Sequence, residues 1–539
     1  MIFNKNWKLF IMFGGGKPQW TFLQHNGPLF PAPYKPHRIP VIVNNEEIIL
    51  TPLAEEYATM YARFIDTDYV NNPKFKKNFW LDFKSTVANL NINNLDEIDF
   101  SLIKKHLIKE KEKKNNMSPE EKESLKKKQD ALEEPYKYCI IDGVQQQIGN
   151  YKIEPPGIFL GRGEHPKIGR IKKRITEEDV IINISKDAKI ENRNWKEIIH
   201  DNSVIWLATW VDDITGKNKY IFTSLDSFFK SKSDESKFNL AKQLKRKAST
   251  IREDYEKQLS DNDIKNRQLA TALYFIDNLA LRVGTSKDKK ESADTVGVTS
   301  LRVEHITLLE NNTIKLDFLG KDSVRYCKKI SVHSQVYNNL LEFKKNKKNK
   351  DDLFDLVNSN MLNDYLDSFL KDLTAKVWRT YNASFLFQKE LDKIKEEHIK
   401  SIDDNERLNY LIAMFNQANT AVALLCNHQK NVNSSLDKSF DKLNNKLKDL
   451  KKKKKNYELK KKHDKVKKLI IKIKALKLKI DTKTKMKNVS LGTSKNNYID
   501  PRIIFAFIKK FNIPAEKLFT KVLLKRFEWA SSVDIDYRF

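Results

Sequence analysis

The sequence predicts an α+β protein of several domains, and three observations lead to this fold class. The chain has 539 residues, which is enough for roughly three to four domains. In its first half, short β-branched segments alternate with prolines, glycines and polar turns, a pattern typical of strands and loops. In most of the second half, the apolar residues recur at helical spacing.

The first half is predicted to contain most of the strands. Val41–Val43 and Ile48–Leu50 flank Asn44-Asn45, a dipeptide that suits the tight turn of a β-hairpin. Apolar residues at helical spacing then predict a helix that begins at Pro52. Further strands are predicted at Val180–Ile184, Trp206–Trp210 and Tyr220–Phe222.

The second half follows a polar, serine-rich stretch at Asp226–Ser236, which predicts a hinge. Beyond it, a buried helix is predicted to end close to Arg282, at the edge of an apolar run. Two segments of alternating apolar residues then predict a β-hairpin with Lys321 at its tip. Both residues also have ordinary interpretations, an arginine that reaches from the core to solvent and a lysine in a turn.

Three further polar residues stand beside apolar segments. Arg379 has apolar neighbours on both sides, and His428 closely follows an apolar helical stretch. Tyr498 comes just before a predicted helix, for which Asp500 is a suitable N-cap and Pro501 a suitable first residue. Taken one at a time, a half-buried tyrosine and a structural histidine would be the ordinary interpretations.

The stretch from about residue 430 to 488 contains neither glycine nor proline. Two heptad-like runs of apolar residues, separated by a polar break near Lys460–Asp464, predict an antiparallel helical hairpin. Its surface is nearly all lysine, including Lys451–Lys455. A solvated coiled coil, a nuclear-targeting signal and a positive arm along a DNA backbone all fit this composition.

The charge of the chain predicts an anionic partner, because the formal net charge is +29. Nucleic acid is the first candidate. An anionic membrane is the second, although no apolar run approaches the ~18–20 residues needed to cross a bilayer. The three cysteines stand at no metal-ligand spacing, which favours a reducing compartment and argues against a zinc module.

Five polar residues together predict one chemistry, and they are Arg282, Lys321, Arg379, His428 and Tyr498. Two arginines and a histidine can hold the non-bridging oxygens of a phosphodiester and offset the charge of a five-coordinate phosphorus. A tyrosine supplies an oxygen nucleophile, and a lysine can protonate the leaving oxygen. These residue types therefore suit phosphoryl transfer through a phosphotyrosine bond.

This chemistry is expected to need no cofactor. The chain lacks the glycine-rich loop with lysine that binds nucleotides, and it lacks the tight acidic cluster that two-metal nucleases use. A phosphotyrosine bond would store the energy of the cut strand. Resealing would then require neither ATP nor a metal ion.

Six stretches of the chain carry a resemblance to a known family. They are Lys152–Gly157, Leu279–Arg282, Phe318–Ser323, Thr374–Ser384, Leu425–Gln429 and the segment around Tyr498. The chain resembles the eukaryotic type IB DNA topoisomerases, and its catalytic motifs stand in the order found in that family. The resemblance covers nearly everything from about Trp20 to Phe539.

The resemblance implies a role for each of the five polar residues. Tyr498 would be the nucleophile that becomes joined to a DNA 3′-phosphate and leaves a free 5′-hydroxyl. Arg282, Arg379 and His428 would bind the scissile phosphate and stabilise the transition state. Lys321 would act as the general acid from the minor groove.

The resemblance also implies an architecture, a two-lobed clamp that closes around double-stranded DNA. Its parts would be a mainly helical catalytic domain, a helical-hairpin (coiled-coil) linker and a small helical C-terminal domain. The boundaries are expected at residues 1–18 for a short N-terminal tail, 19–230 for a mixed α+β cap, 231–429 for the catalytic core, 430–487 for the linker and 488–539 for the C-terminal domain. The cut strand would rotate about the intact strand and relax supercoils of either sign.

Location and oligomeric state are further expectations from the resemblance, namely a monomer in the nucleus. The family often has a long, charged N-terminal region, whereas this chain begins almost at the core. Nuclear targeting is therefore expected from internal basic clusters such as Lys245-Arg246-Lys247 or the lysine-rich hairpin.

Three residues map onto the inhibitor-sensitive cleft of the family, and they are Arg162, Asp322 and Asn497. They are expected to contact DNA or an inhibitor. Camptothecin-type inhibitors are therefore expected to trap the covalent complex. Leu160 stands where the family usually has arginine, and this departure weakens the expected sensitivity.

Two other functions fit part of the pattern. Tyrosine recombinases share the catalytic arginines, lysine, histidine and tyrosine, but they usually have a histidine three residues before the second arginine. This chain has Lys376 there, and its long lysine-rich hairpin also favours the topoisomerases. The other alternative is a DNA-clamping or chromatin protein without catalysis, against which the complete set of five residues argues.

Overall fold

The structure is a computed structural model that describes residues 17–285, 292–400, 402, 404–429, 435–460, 463–485 and 489–539. Helices and short strands are mixed, and the chain divides into two compact units. The first unit contains the described residues of Met1–Lys230 and Lys287–Asp294, and the second contains those of Ser231–Ser286 and Thr295–Phe539. The predicted α+β, multidomain class is confirmed. Within the described residues, each helix is either too short or too polar to cross a lipid bilayer.

The first unit combines short strands with helices. Its described strands are β1 (Leu23–Gln24), β2 (Val41–Val43), β3 (Glu46–Ile48), β4 (Ile98–Asp99), β5 (Tyr138–Ile141), β6 (Val144–Gln147), β7 (Gly157–Ile158), β8 (Ile171–Lys172), β9 (Ile181–Asn183), β10 (Glu197–Ile199), β11 (Ala208–Val211) and β12 (Asn218–Ile221). Its described helices are α1 (Pro52–Ala62), α2 (Pro73–Phe83), α3 (Ser101–Asn115) and α4 (Pro119–Glu133). The strand orders are β1-β5-β6, β3-β2-β4, β7-β8 and β10-β9-β11-β12.

The elements predicted in the first half are present, with some bounds shifted. Strands β2 and β3 form the predicted antiparallel hairpin, but β3 covers Glu46–Ile48 and not the predicted Ile48–Leu50. Asn44 and Asn45 in its turn have φ of 51° and 66°, left-handed values that asparagine adopts more readily than most residues. The helix predicted from Pro52 is α1, and the three later strands correspond to β9, β11 and β12 in one sheet.

Aromatic packing stabilises one of the cores of the first unit. Phe75, Phe79 and Phe83 recur every four residues along α2, so they share one face, and all three are fully buried. The Tyr61 ring from α1 stacks on Phe79 with a centroid distance of 4.6 Å. Burial of each such side chain stabilises the fold by about 1.5–3 kcal/mol.

The second unit is mainly helical, and helix α5 (Phe228–Gln258) supplies its first residues. The helices that follow are α6 (Ile264–Leu279), α7 (Ser334–Lys344), α8 (Ser359–Phe369), α9 (Ala375–Leu391), α10 (Glu396–Lys400), α11 (Asp404–Leu425), α12 (Ser435–Leu459), α13 (His463–Lys485), α14 (Leu491–Asn497), α15 (Pro501–Phe511) and α16 (Lys521–Arg526). Strands β13 (Ile306–Leu309), β14 (Thr313–Leu319) and β15 (Arg325–Ser331) form an antiparallel sheet. The predicted hairpin with Lys321 in its turn is the pair β14–β15.

The stretch predicted as a hinge, Asp226–Ser236, contains the boundary between the two units, which falls after Lys230. It is not a loop, however, because the residues from Phe228 onward belong to helix α5. Asp234 is 1% exposed and forms a salt bridge with the buried Arg526 at 2.6 Å. The Ser231 hydroxyl donates to the Arg526 carbonyl at 2.9 Å. A polar, serine-rich composition predicted a loop, but here the polar side chains find partners in distant parts of the same unit.

The helices predicted in the lysine-rich stretch are present as α12 and α13, which pack against each other. Helix α13 also contacts α11, and its residues Ile473 and Leu476 are buried. The break between the two helices includes Lys460, as the polar composition predicts. Residues 430–434, 461–462 and 486–488 of the predicted stretch lie outside the described residues.

A buried carboxylate joins helices α5, α6 and α9. Asp277 on α6 accepts from Nε and Nη2 of Arg252 at 2.7 Å and 2.8 Å. It also accepts from the Tyr255 hydroxyl and from Trp378 Nε1, each at 2.8 Å. Because α6 leads to one of the predicted catalytic arginines and α9 carries the other, this cluster fixes the helices that position both.

Candidate active site

Tyr498 lies in the short segment between helices α14 and α15. Its N–H donates to the Ser494 carbonyl at 2.9 Å, which closes α14, and its own carbonyl accepts from the Ser384 hydroxyl at 3.1 Å. The Asp500 side chain caps α15 by accepting from the Arg502 N–H at 2.9 Å, so the predicted helix start is confirmed. Tyr498 is only 7% exposed. Its position is therefore set by α14 before it, α15 after it and α9 beside it.

Arg282 brings a cation to the hydroxyl of this tyrosine. Its Nη1 donates to Tyr498 Oη at 3.1 Å. Helix α6 ends at Leu279, and Ala280 turns the chain with a left-handed φ of 49°. The turn leads the chain out of the helix, so that Arg282 can face the tyrosine.

Two glycines hold the segment that carries Arg282. A Cβ atom on Gly297 would lie 2.5 Å from the Cα of Gly284 and 2.7 Å from the Arg282 carbonyl oxygen. Gly284 itself has φ of 84°, a conformation that residues with a side chain rarely adopt. The close approach of the two backbones thus depends on both glycines.

Arg379 is buried, with 5% of its surface exposed, and two backbone carbonyls hold its guanidinium. Nη1 donates to the Ala280 carbonyl at 2.5 Å, and Nη2 donates to the Cys426 carbonyl. Nη2 also lies 3.4 Å from Nε2 of His428, and the guanidinium carbon is 5.2 Å from the centroid of the Tyr498 ring. Arginine suits this place because its planar fork reaches several partners at once.

His428 completes the group around the tyrosine. Its ring centroid is 5.2 Å from that of Tyr498, and its Nδ1 lies 2.7 Å from the Ser494 hydroxyl. Burial, together with the positive charges of Arg379 and Arg282, lowers the pKa of His428 from its usual value to about 3. His428 is therefore neutral near pH 7, where it can donate from only one ring nitrogen.

Lys321 lines the same cavity as Arg282, Arg379 and His428, and this cavity has a volume of about 130 Å³. The Lys321 side chain is exposed in the turn between β14 and β15. Among the residues that the structure describes, it forms no hydrogen bond or ion pair. Because its side chain is not engaged in an ion pair there, Lys321 can reach a bound phosphodiester without first breaking one.

The three residues predicted to contact DNA or an inhibitor have different surroundings. Asp322 follows Lys321 in the hairpin turn and lines the cavity, with φ of 66°. Asn497 is exposed next to Tyr498, and its carbonyl accepts from Lys237 Nζ at 3.0 Å. Arg162 belongs to the first unit and lies between Gly161 and Gly163, whose φ angles are 63° and 59°.

The structure also brings two serines to the site that the sequence did not single out. Ser384 and Ser494 are both fully buried. The Ser384 hydroxyl donates to the Tyr498 carbonyl and accepts from the Asp500 N–H at 3.0 Å, so it links α9 to both ends of the tyrosine segment. Both serines lie in stretches that the motifs already marked, but their bonds depend on residues distant in sequence.

The chain matches three family models that together cover most of it. The part that carries Tyr498 identifies the class, because residues 471–539 match the model described as a C-terminal topoisomerase domain. Residues 226–463 match the model described as eukaryotic DNA topoisomerase I, catalytic core. Residues 18–223 match the model described as eukaryotic DNA topoisomerase I, DNA binding fragment. The chain belongs to the eukaryotic DNA topoisomerase I family.

Curated relatives agree with this assignment. The chain is 40% identical to DNA topoisomerase 1 beta of Arabidopsis thaliana, with 98% of this chain and 60% of that protein covered. It is 39% identical to DNA topoisomerase 1 of Homo sapiens, covering 97% of this chain and 72% of the human protein. The corresponding protein of Caenorhabditis elegans is 42% identical, with 97% and 68% covered. The chain thus spans about 60% of the length of the Arabidopsis relative.

Proposed function

We propose that this chain is a type IB DNA topoisomerase. It cuts one strand of double-stranded DNA through a bond between Tyr498 and a 3′-phosphate, lets the strand rotate, and reseals it. Supercoils of either sign are relaxed. The observation that carries the proposal is the position of Tyr498, whose hydroxyl accepts from Arg282 and whose ring lies beside Arg379 and His428.

Cleavage is an exchange of one phosphate ester for another. The Tyr498 oxygen attacks phosphorus, the bond from phosphorus to the 5′-oxygen breaks, and the phenolic proton leaves to water. Lys321 gives a proton to the departing 5′-oxygen. Resealing runs the same steps in reverse, with the 5′-hydroxyl as the nucleophile. The number of phosphate ester bonds does not change, so ATP is not required. Arg282, Arg379 and Lys321 supply the positive charge and the proton for which other phosphoryl-transfer enzymes use a metal ion.

The two arginines stabilise the negative charge that develops at the five-coordinate phosphorus. Arg282 donates to the attacking oxygen, so its positive charge stands beside the atom that forms the new bond to phosphorus. Arg379 is held by two carbonyls before any substrate arrives, so its charge needs no reorganisation as the five-coordinate phosphorus forms. Arg379 and Tyr498 are buried, and a low local dielectric there increases the interaction between charges.

Lys321 suits the role of general acid for a geometric reason. It lines the cavity from the hairpin turn, whereas Tyr498 approaches from the segment between α14 and α15. In an in-line displacement the nucleophile and the leaving oxygen stand on opposite sides of phosphorus. A proton donor on a separate element can therefore serve the leaving oxygen while the tyrosine attacks.

The proposal extends to the partner and the larger architecture. Double-stranded DNA is the proposed partner, supported by the net charge of +29 and by the match to a DNA binding fragment. A two-lobed clamp, a coiled-coil linker built from α12 and α13, a monomeric state and a nuclear location are parts of the same proposal. So are contacts of Arg162, Asp322 and Asn497 with DNA or a camptothecin-type inhibitor.

The proposal is tested by relaxation of supercoiled plasmid in buffer with EDTA and without ATP. The wild-type chain is expected to change the linking number of both negatively and positively supercoiled DNA. Tyr498→Phe is expected to bind DNA and leave its linking number unchanged, since it loses only the nucleophilic oxygen. DNA binding by the wild-type chain with no change in linking number would contradict the proposed function.

A further inference from the structure

Ser494 stands between the tyrosine segment and the histidine of the candidate active site. It is fully buried on α14, four residues before Tyr498, and its hydroxyl lies 2.7 Å from His428 Nδ1. The opposite ring nitrogen, Nε2, faces Arg379 at 3.4 Å, and His428 lines the cavity. The Ser494 hydroxyl and the Arg379 guanidinium therefore contact opposite ring nitrogens of the same imidazole.

The position of the imidazole proton decides what His428 can do. A neutral ring carries one N–H, so Nε2 can donate to a phosphate oxygen only when Nδ1 acts as an acceptor. The groups around the ring include Arg379 from α9, Arg282 from the segment after α6 and the Tyr498 ring. Burial, together with the two cations, lowers the pKa of His428 and keeps the ring neutral. The site can therefore change which nitrogen carries the proton, but not the charge of the ring.

A serine hydroxyl is suited to control this tautomer. It can donate to Nδ1, which leaves the proton on Nε2 toward the phosphate, and it can also accept from Nδ1–H when the cavity is empty. Alanine at this place could do neither, and the buried Nδ1 would lose its neutral partner.

We propose that Ser494 is a positioning residue that holds His428 in the tautomer and orientation from which Nε2–H donates to the scissile phosphate. This inference rests on the proposed function, because it assigns the histidine a phosphate to donate to. Ser494 also links the histidine to the nucleophile, because its carbonyl accepts the N–H of Tyr498 at 2.9 Å and that of Ile499 at 3.1 Å.

The test begins with single-turnover cleavage of a DNA duplex by Ser494→Ala. The rate of adduct formation is expected to fall by about 10-fold to 100-fold, with the affinity for DNA unchanged, because the bond acts on the transition state. Ser490→Ala is the matched control, since it removes one hydroxyl from the residue before the same helix, and that hydroxyl contacts Thr493 and not the histidine. It is expected to change the rate by less than about 2-fold.

The decisive comparison is a double-mutant cycle with His428→Ala. If Ser494 acts through the histidine, Ser494→Ala should change the rate by less than about 2-fold once the imidazole is gone. Equal losses in both backgrounds would overturn the inference, as would a wild-type rate for Ser494→Ala alone. Ser494→Thr keeps a hydroxyl and is expected to restore most of the rate, whereas a rate as low as that of alanine would count against the inference.

Two measurements separate this inference from its foundation. Circular dichroism of each variant is expected to match the wild type, which shows that the helices are retained. Thermal unfolding should show a folded protein at the assay temperature, with a lower midpoint for Ser494→Ala because a buried hydrogen bond is lost. A wild-type chain that forms no adduct would overturn the proposed function, and the inference with it. A wild-type chain that forms the adduct, together with additive losses in the cycle, would overturn the inference alone.

Discussion

Replacement of Asp277 by alanine is expected to destabilise the second unit by about 2–6 kcal/mol. The Tyr255 hydroxyl and Trp378 Nε1 each donate to this carboxylate at 2.8 Å, and both residues are 1% exposed. A buried donor that loses its partner costs about 1–3 kcal/mol, and there are two such donors. Arg252 adds less, because its side chain is 38% exposed and can turn to water.

The assay is urea unfolding followed by tryptophan fluorescence and circular dichroism. The expected loss is a large share of the about 5–15 kcal/mol that holds a domain together. Asp96→Ala provides a surface control, since this aspartate is 74% exposed and pairs with Lys76 at 2.7 Å. Its replacement is expected to change the free energy of unfolding by less than about 1 kcal/mol.

Tyr255→Phe distinguishes an unsatisfied donor from a general loss of packing. In the wild type it removes a satisfied hydrogen bond and should cost about 1 kcal/mol. In the Asp277→Ala background it removes an unsatisfied donor, so it should be neutral or stabilising. An equal cost in both backgrounds, or a loss below about 1 kcal/mol for Asp277→Ala alone, would refute the reasoning.

Three further predictions concern the site and the lysine-rich helices. Gly297→Ala should displace the Arg282 segment and slow adduct formation about 10-fold or more while DNA still binds. Gly492→Ala is the control and should act like wild type, because a Cβ there would meet nothing within 4 Å. Equal rates for the two variants would contradict this prediction. The pKa of His428 is lowered to about 3 in the folded chain and returns to about 6.5 on unfolding, so the unfolded state binds more protons in this window and stability falls as the pH drops through it. His428→Asn should lose less stability between about pH 7 and about pH 4.5 than wild type, and an identical loss would place the acid sensitivity elsewhere. Deletion of α12 and α13 with the flanks rejoined should weaken DNA binding. The slope of log affinity against log salt concentration should become shallower by about 0.9 for each phosphate that these helices neutralise in the full chain. An unchanged slope would show that they do not bind DNA.

Sequence patterns predicted the fold well where a local rule decides the structure. Asp500 and Pro501 specify the start of α15 through their own side chains, and the turn between β14 and β15 follows from alternating apolar residues on both sides of Lys321. The residues around the cavity could be predicted for a different reason. Their types stand in motifs that resemble a known family, and the family models match the same parts of the chain.

Contacts between distant residues could not be predicted in this way. The Ser384 hydroxyl meets the Tyr498 carbonyl 114 residues away, and nothing near either residue marks the pair. Arg379 was predicted as a phosphate ligand, but its two backbone carbonyl partners appear only once α6 and α11 have packed beside α9. The helix that runs through the predicted hinge at Asp226–Ser236 was missed for the same reason. Polar residues of this stretch bond to distant partners, such as Ser231 to Arg526, which lies 295 residues further on.

The most direct test of the central claim is to map the covalent adduct. A duplex with a nick placed so that the cleaved fragment diffuses away would trap the intermediate, and mass spectrometry of the digested protein would locate the modified residue. We expect a DNA 3′-phosphate on the peptide that contains Tyr498, together with a free 5′-hydroxyl on the released strand. A 5′-linked adduct, or an adduct on a different residue that persists in Tyr498→Phe, would contradict it.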